Sequence, residues 1–190
     1  MILKRLSRLA IVCALLCVCL LKTQSSSAAE AEGQDSHSLL KTMTPFVSGI
    51  QQKYSEMLGV LPQAITNINL YSFIDKWYGT KYLWGGTSEN GIDCSAFVQK
   101  IYENVFNTLI LRTSKLQSVM CGVLTRNTDK LKEGDLIFFK TRGNFISHVG
   151  IYLQNNHFVH SCSSAGVTIS TLDNAYWSKV FAGAGEILHS

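Results

Sequence analysis

The chain has 190 residues, enough for one domain with a substantial core. Its formal charge of +4 and pI near 8.7 rest on Lys4, Arg5, Arg8 and Lys22; without that stretch, which holds no acid, basic and acidic residues are equal in number. No Arg/Lys-rich stripe with interleaved aromatics is present, so the charge gives no ground for a nucleic-acid partner.

The first segment reads as a secretory signal. Lys4, Arg5 and Arg8 precede an apolar run, Leu9 to Leu21, well short of a membrane span. A polar stretch from Thr23 to Ala31 follows, and both Ser27-Ala28-Ala29 and Ala29-Glu30-Ala31 fit a small-x-small cleavage site. The expectation is removal of about residues 1–29 on export, leaving no membrane anchor. Cys13, Cys17 and Cys19 follow Val12, Leu16 and Val18, where a lipidation site needs a small residue. Three cysteines remain, Cys94, Cys121 and Cys162. An odd number leaves at least one thiol unpaired within an exported chain, and catalysis is one reason to keep it. A Cys121–Cys162 disulfide stays open, because spacing cannot test its geometry.

Thr44 reads as a helix N-cap and Pro45 as the first helical residue. Phe46, Val47, Ile50, Tyr54, Met57 and Leu58 share a face, and Gly59 stops the helix. A second helix covers about 69–78, with Leu70, Phe73, Ile74 and Trp77 facing in. A Gly-punctuated loop, Trp84-Gly85-Gly86 to Gly91, leads to a third helix from about Asp93. Phe97, Val98, Ile101, Tyr102 and Val105 make that helix apolar over a wide arc, as a central buried helix would be. A polar helical turn near 114–120 follows. From Gly134 the period becomes two, with strands at 135–139, 148–153 and 157–161, the last two joined at Asn155-Asn156. Weaker strands cover 166–170 and 181–188. Helices first and an antiparallel sheet afterwards give an α+β domain.

Cys94 falls where the Gly-rich loop meets the third helix. A helix N-terminus lowers a thiol pKa and makes the nucleophilic thiolate available. Asp93 beside it is a natural N-cap. His148 alternates with Val149, Ile151 and Leu153, so it points away from that apolar layer or towards the helix carrying Cys94. A hairpin centred near residue 155 brings His160 within about two residues of the position opposite His148. A thiol at a helix start facing two imidazoles on a sheet is a nucleophile, base and orienter. Each histidine taken alone fits an ordinary half-buried polar residue equally well.

Tyr82-Leu83-Trp84-Gly85-Gly86 followed by Gly91-Ile92-Asp93-Cys94-Ser95-Ala96-Phe97-Val98 resembles the nucleophile motif of the NlpC/p60 peptidases. Gly134-Asp135-Leu136, Ser147-His148-Val149-Gly150-Ile151-Tyr152 and Phe158-Val159-His160-Ser161 are similar to that family's later strands, in the same order. The resemblance runs from about residue 68 to the C-terminus. It departs at Lys81 and Leu111, where the family usually has proline, and at Ala96, where it usually has glycine.

The resemblance implies a papain-like fold with N-terminal helices packed on a central antiparallel sheet. It implies Cys94 as nucleophile, His148 as general base and His160 as its orienter. Tyr82 would hold the oxyanion or substrate beside the Cys94 N–H, and Asp93 and Arg112 would meet polar groups of the substrate. Gly85 and Gly86 would let the loop pass close to it. The expected domains are a signal peptide over 1–29, an N-terminal segment with one amphipathic helix over 30–67, and the catalytic domain over 68–190. The implied function is a cysteine peptidase acting on peptidoglycan stem peptides in the periplasm or outside the cell, as a monomer without cofactor. The diaminopimelate–D-alanine cross-link is the expected bond, and D-glutamyl–diaminopimelate the alternative. Two other readings are a non-catalytic wall-binding module and a zinc hydrolase using His148, His157, His160 and the cysteines. No HExxH or CxxC spacing supports the zinc reading.

Overall fold

The computed structural model describes residues 47–188. The signal-like segment lies outside them, as do Thr44, Pro45 and Phe46. Helix α1 spans Gly49–Leu58 and starts later than the sequence suggests. Ser48 is extended and accepts from the Gln51 N–H, while the Gln51 side chain accepts from the Ser48 N–H. This reciprocal capping box fixes the start of α1 at Ser48. Gly59 closes the helix as expected. After a 3₁₀ turn at Pro62–Ala64, α2 spans Ile68–Trp77, capped by Asn67. It buries Leu70, Tyr71, Ile74 and Trp77, with Phe73 partly buried beside them.

The Gly-rich loop contains a small hairpin, β1 (Thr87–Ser88) with β2 (Gly91–Ile92). A Cβ on Gly86 would lie 2.4 Å from the Gly91 carbonyl oxygen. Gly86 therefore serves backbone approach within the hairpin, where the sequence suggested passage of substrate. Helix α3 spans Cys94–Val105 and α4 spans Ser114–Met120.

The main sheet has five antiparallel strands: β3 (Leu136–Phe139), β4 (His148–Tyr152), β5 (His157–Cys162), β6 (Gly166–Thr171) and β7 (Phe181–Gly185). Their spatial order is β6-β5-β4-β3-β7. Both faces are covered, which explains the continuous burial of β3 and β4. On one face Val149, Ile151, Leu136 and Phe138 join Phe97, Val98 and Ile101 of α3, and Tyr54 and Leu58 of α1, in one core. On the other, Ile137, Phe139, Tyr152, Phe158 and Phe181 form a smaller cluster. A short helix, α5 (Ala175–Val180), lays Trp177 over this second cluster. The sequence reading missed α5. Its one local signal was Asn174, which caps it by accepting from the Tyr176 and Trp177 N–H groups.

Candidate active site

The start of α3 is built around Asp93. Its carboxylate accepts from the Ala96 N–H at 2.8 Å, the Ser95 hydroxyl at 3.1 Å and the Gly85 N–H at 3.1 Å. Arg112 grips the same carboxylate with two nitrogens, at 2.9 and 2.6 Å, and donates to Ser95 Oγ at 2.8 Å. Burial pushes the Asp93 carboxyl pKa up, but the Arg112 hydrogen bond, with the Ala96 N–H, outweighs it and holds the group below its usual range. Asp93 and Arg112 are thus joined to each other and to the helix start. The sequence suggested substrate contact for both; the structure uses them to tie the 82–86 loop and the segment before α4 to the residue preceding Cys94.

Cys94, the first residue of α3, is 7% exposed. It packs in the core with Val149 of β4 and with Phe97 and Val98 of its own helix. Burial pushes the thiol up to about 11, and Asp93 adds to the rise. The sequence suggested a lowered thiol pKa from the helix N-terminus. Here desolvation is the larger effect, and the Asp93 carboxylate already neutralises the positive helix end.

His148 opens β4, directly before Val149, which shares the core with Cys94. Burial pushes its pKa down to about 4. Burial thus favours the neutral form of each group. His148 Nε2 lies 2.8 Å from His160 Nδ1, and His160 Nε2 lies 2.9 Å from Ser170 Oγ. A neutral His148 that donates from Nε2 presents Nδ1 as a free base. In that arrangement His160 accepts at Nδ1 and donates from Nε2 to the Ser170 hydroxyl.

The strand register explains the meeting. Ile151 pairs with Val159 and Tyr152 with Phe158, which puts Gly150 opposite His160 and His148 two residues further on. A Cβ on Gly150 would stand 2.7 Å from the Val159 carbonyl oxygen and 3.2 Å from His160 Cβ. Glycine here lets His160 lean towards His148. Trp177 completes the packing. Its ring stacks on His148 at 5.4 Å and meets His160 edge-on at 4.7 Å. Ser170 and Trp177 were not found from sequence. Ser170 sits in a strand that was recognised only as a strand, and Trp177 lies in the missed helix.

A cleft of about 320 Å³ opens above the imidazole, lined by Tyr82, Trp84, Arg142, His148, Cys162 and Trp177 among others. Tyr82 is half-buried; burial chiefly raises its pKa, with Cys94 and Asp93 close enough to add to the rise. Cys121 and Cys162 are both free thiols. Cys121 donates to Gly185 on edge strand β7, whereas Cys162 ends β5 at the cleft. Three strand spacings, roughly 14 Å, separate β5 from β7, beyond disulfide reach. His157 bonds the Asn155 carbonyl at the far end of β5, and no group of three His, Cys, Asp or Glu side chains able to hold a metal occurs among the described residues.

Residues 79–186 match the model of the NlpC/P60 family. A Haemophilus influenzae protein named "Probable endopeptidase NlpC homolog" is 40% identical over 119 residues, 63% of this chain and 62% of its own length. The match thus spans under two thirds of that relative. An Escherichia coli K12 protein named "Murein DD-endopeptidase MepS/Murein LD-carboxypeptidase" is 30% identical over 164 residues, 86% of each chain. A crystal structure of a Bacillus cereus NlpC/P60 family protein superposes with a TM-score of 0.57 at 31% identity, over 65% of this chain and 41% of that one.

Proposed function

This chain belongs to the NlpC/P60 family, and we propose that it is a cysteine endopeptidase of peptidoglycan stem peptides in which Cys94 attacks and His148 moves the proton. The observation that carries the reading is the His148–His160–Ser170 line of hydrogen bonds on the strands packed against the start of α3, where the Cys94 thiol is buried against Val149. The endopeptidase names of the relatives support the reaction class, and the murein named for one of them supports the substrate.

The scissile carbonyl carbon meets the Cys94 sulfur as His148 Nδ1 takes the thiol proton. Because burial favours the neutral form of each group, proton transfer accompanies attack. The oxyanion is received by the Cys94 N–H, which has no intrahelical acceptor at the helix start, with Tyr82 nearby. Collapse breaks the C–N bond, and His148 returns the proton to the leaving amine. A water then attacks the thioester, with His148 again as base, and releases the carboxylate and the thiol. His160 holds His148 in the tautomer whose Nδ1 is free, and Ser170 does the same for His160. Asp93 and Arg112 act on position, by fixing the helix start.

Within this class we assign the diaminopimelate–D-alanine cross-link as the bond cut, supported by the DD-endopeptidase name of the E. coli relative. A wall substrate requires export, for which residues 1–29 have the sequence pattern of a signal. The test is hydrolysis of cross-linked muropeptides by the wild-type and Cys94→Ala proteins. Iodoacetamide abolishes activity on this reading and EDTA does not; loss with EDTA and recovery with zinc would overturn it.

A further inference from the structure

The cleft has one permanent charge. Of its eleven lining residues, Arg142 is the only one that is always ionised, and none is a carboxylate. Tyr82, Thr141, Ser163, Ser164 and Tyr176 add hydroxyls. Arg142 makes no ion pair among the described residues; the arginine that does is Arg112, with Asp93.

Its position is built. The guanidinium carbon stands 4.7 Å from the Trp84 ring centroid. Stacking on an aromatic face leaves the in-plane N–H groups of a guanidinium free. The backbone beneath it is pinned as well. The β3–β4 loop starts after the Phe139–His148 pair, and Ser147 Oγ accepts from the Thr141 N–H at 2.9 Å and the Arg142 N–H at 3.1 Å. Arg142 also bridges to Phe145 across that loop. The strand that carries His148 thus carries, through Ser147, the residue that presents Arg142. Tyr82, Arg142 and His148 line the same cleft, so the guanidinium faces the space that a substrate bound beside the imidazole must fill.

We propose that Arg142, held on Trp84, is a subsite for a free carboxylate on the residue adjoining the scissile amide, and that it selects acidic over amidated stem peptides. The substrate class rests on the peptidase reading above; the carboxylate chemistry rests on the cleft. A planar fork of N–H donors matches a carboxylate with two parallel bonds. Amidation removes the charge and replaces one acceptor oxygen with a donor, which faces the guanidinium donors unpaired. Arg142 and Trp84 are both exposed, so the preference is about ten- to a hundredfold, well below that of a buried site.

The test is calorimetric binding to the Cys94→Ala protein, which removes turnover from the measurement. The ligands are a synthetic diaminopimelate-containing stem peptide with free side carboxylates and the same peptide with those groups amidated. The free acid binds about ten- to a hundredfold tighter. Adding Arg142→Gln abolishes the difference, and adding Arg142→Lys keeps part of it, because charge persists without the fork. Equal binding of the two peptides, a preference that survives Arg142→Gln, or no measurable binding of either would overturn the subsite. Turnover of the same peptides by the wild type is read separately. Selective binding without any turnover would sink the peptidase reading and leave the carboxylate subsite standing.

Discussion

The side chains at the site are set by burial more than by charge. His148 has its pKa pushed to about 4 and His160 well below 6.5, both mainly by desolvation. The proposed mechanism needs His148 neutral, so the rate profile should stay flat from neutrality to about pH 5 and fall as pH approaches 4. An acid limb centred near 6.5 would show that His148 is not buried as a free base. Stability carries the same sign. Between pH 6.5 and 4 the unfolded chain binds protons that the folded chain refuses, so the melting temperature should drop over that window as pH falls. The His148→Gln, His160→Gln double variant should show a shallower drop. Roles also separate within the line of bonds. His148→Ala removes the base and should cost far more activity than His160→Ala, while His160→Asn should retain part of the rate. Equal losses at positions 148 and 160, in folded proteins, would mean that the roles are misassigned.

Helix α3 and strands β4 and β5 place these side chains, and each placement depends on few contacts. Arg112→Ala removes the two-pronged grip on Asp93 and leaves a poorly paired carboxylate at the start of α3. It should lower stability by roughly 2 kcal/mol and lower turnover through the nucleophile's position. Gly150→Ala forces a methyl against the Val159 carbonyl and His160 Cβ. It should cost about 1–3 kcal/mol and weaken catalysis beyond that, because the imidazole pair must part. Denaturant midpoints beside steady-state rates check both; an unchanged protein in either case would contradict the packing described here. The helix carrying Cys94 and the strands carrying the histidines were legible because their apolar periods are strong and Asp93 and Asn155-Asn156 mark their ends. Helix α5 was not, since six residues with two adjacent aromatics show no period. The Ser48 cap was hidden by the stronger Thr44-Pro45 pattern upstream. Arg112 read as a substrate group because its sequence distance from Asp93 conceals their contact. Arg142 carried no motif at all, and only the β3–β4 loop brings it to Trp84.

At the scale of the molecule, residues 47–188 place helices on one face of a five-stranded sheet and Trp177 on the other, with the cleft opening at the end where His148 begins β4. Among its lining residues such a cleft has one cation and several hydroxyls. It should favour wall peptides, with their free carboxylates, over all-L protein chains, and casein should remain uncut. The most direct measurement is mass spectrometry of a purified cross-linked muropeptide dimer incubated with the wild-type and Cys94→Ala proteins. The wild type should convert the dimer to monomers with the gain of one water, and the variant, folded by circular dichroism, should leave it intact. A dimer untouched by the wild type, or cut equally by both proteins, would contradict a Cys94-dependent endopeptidase.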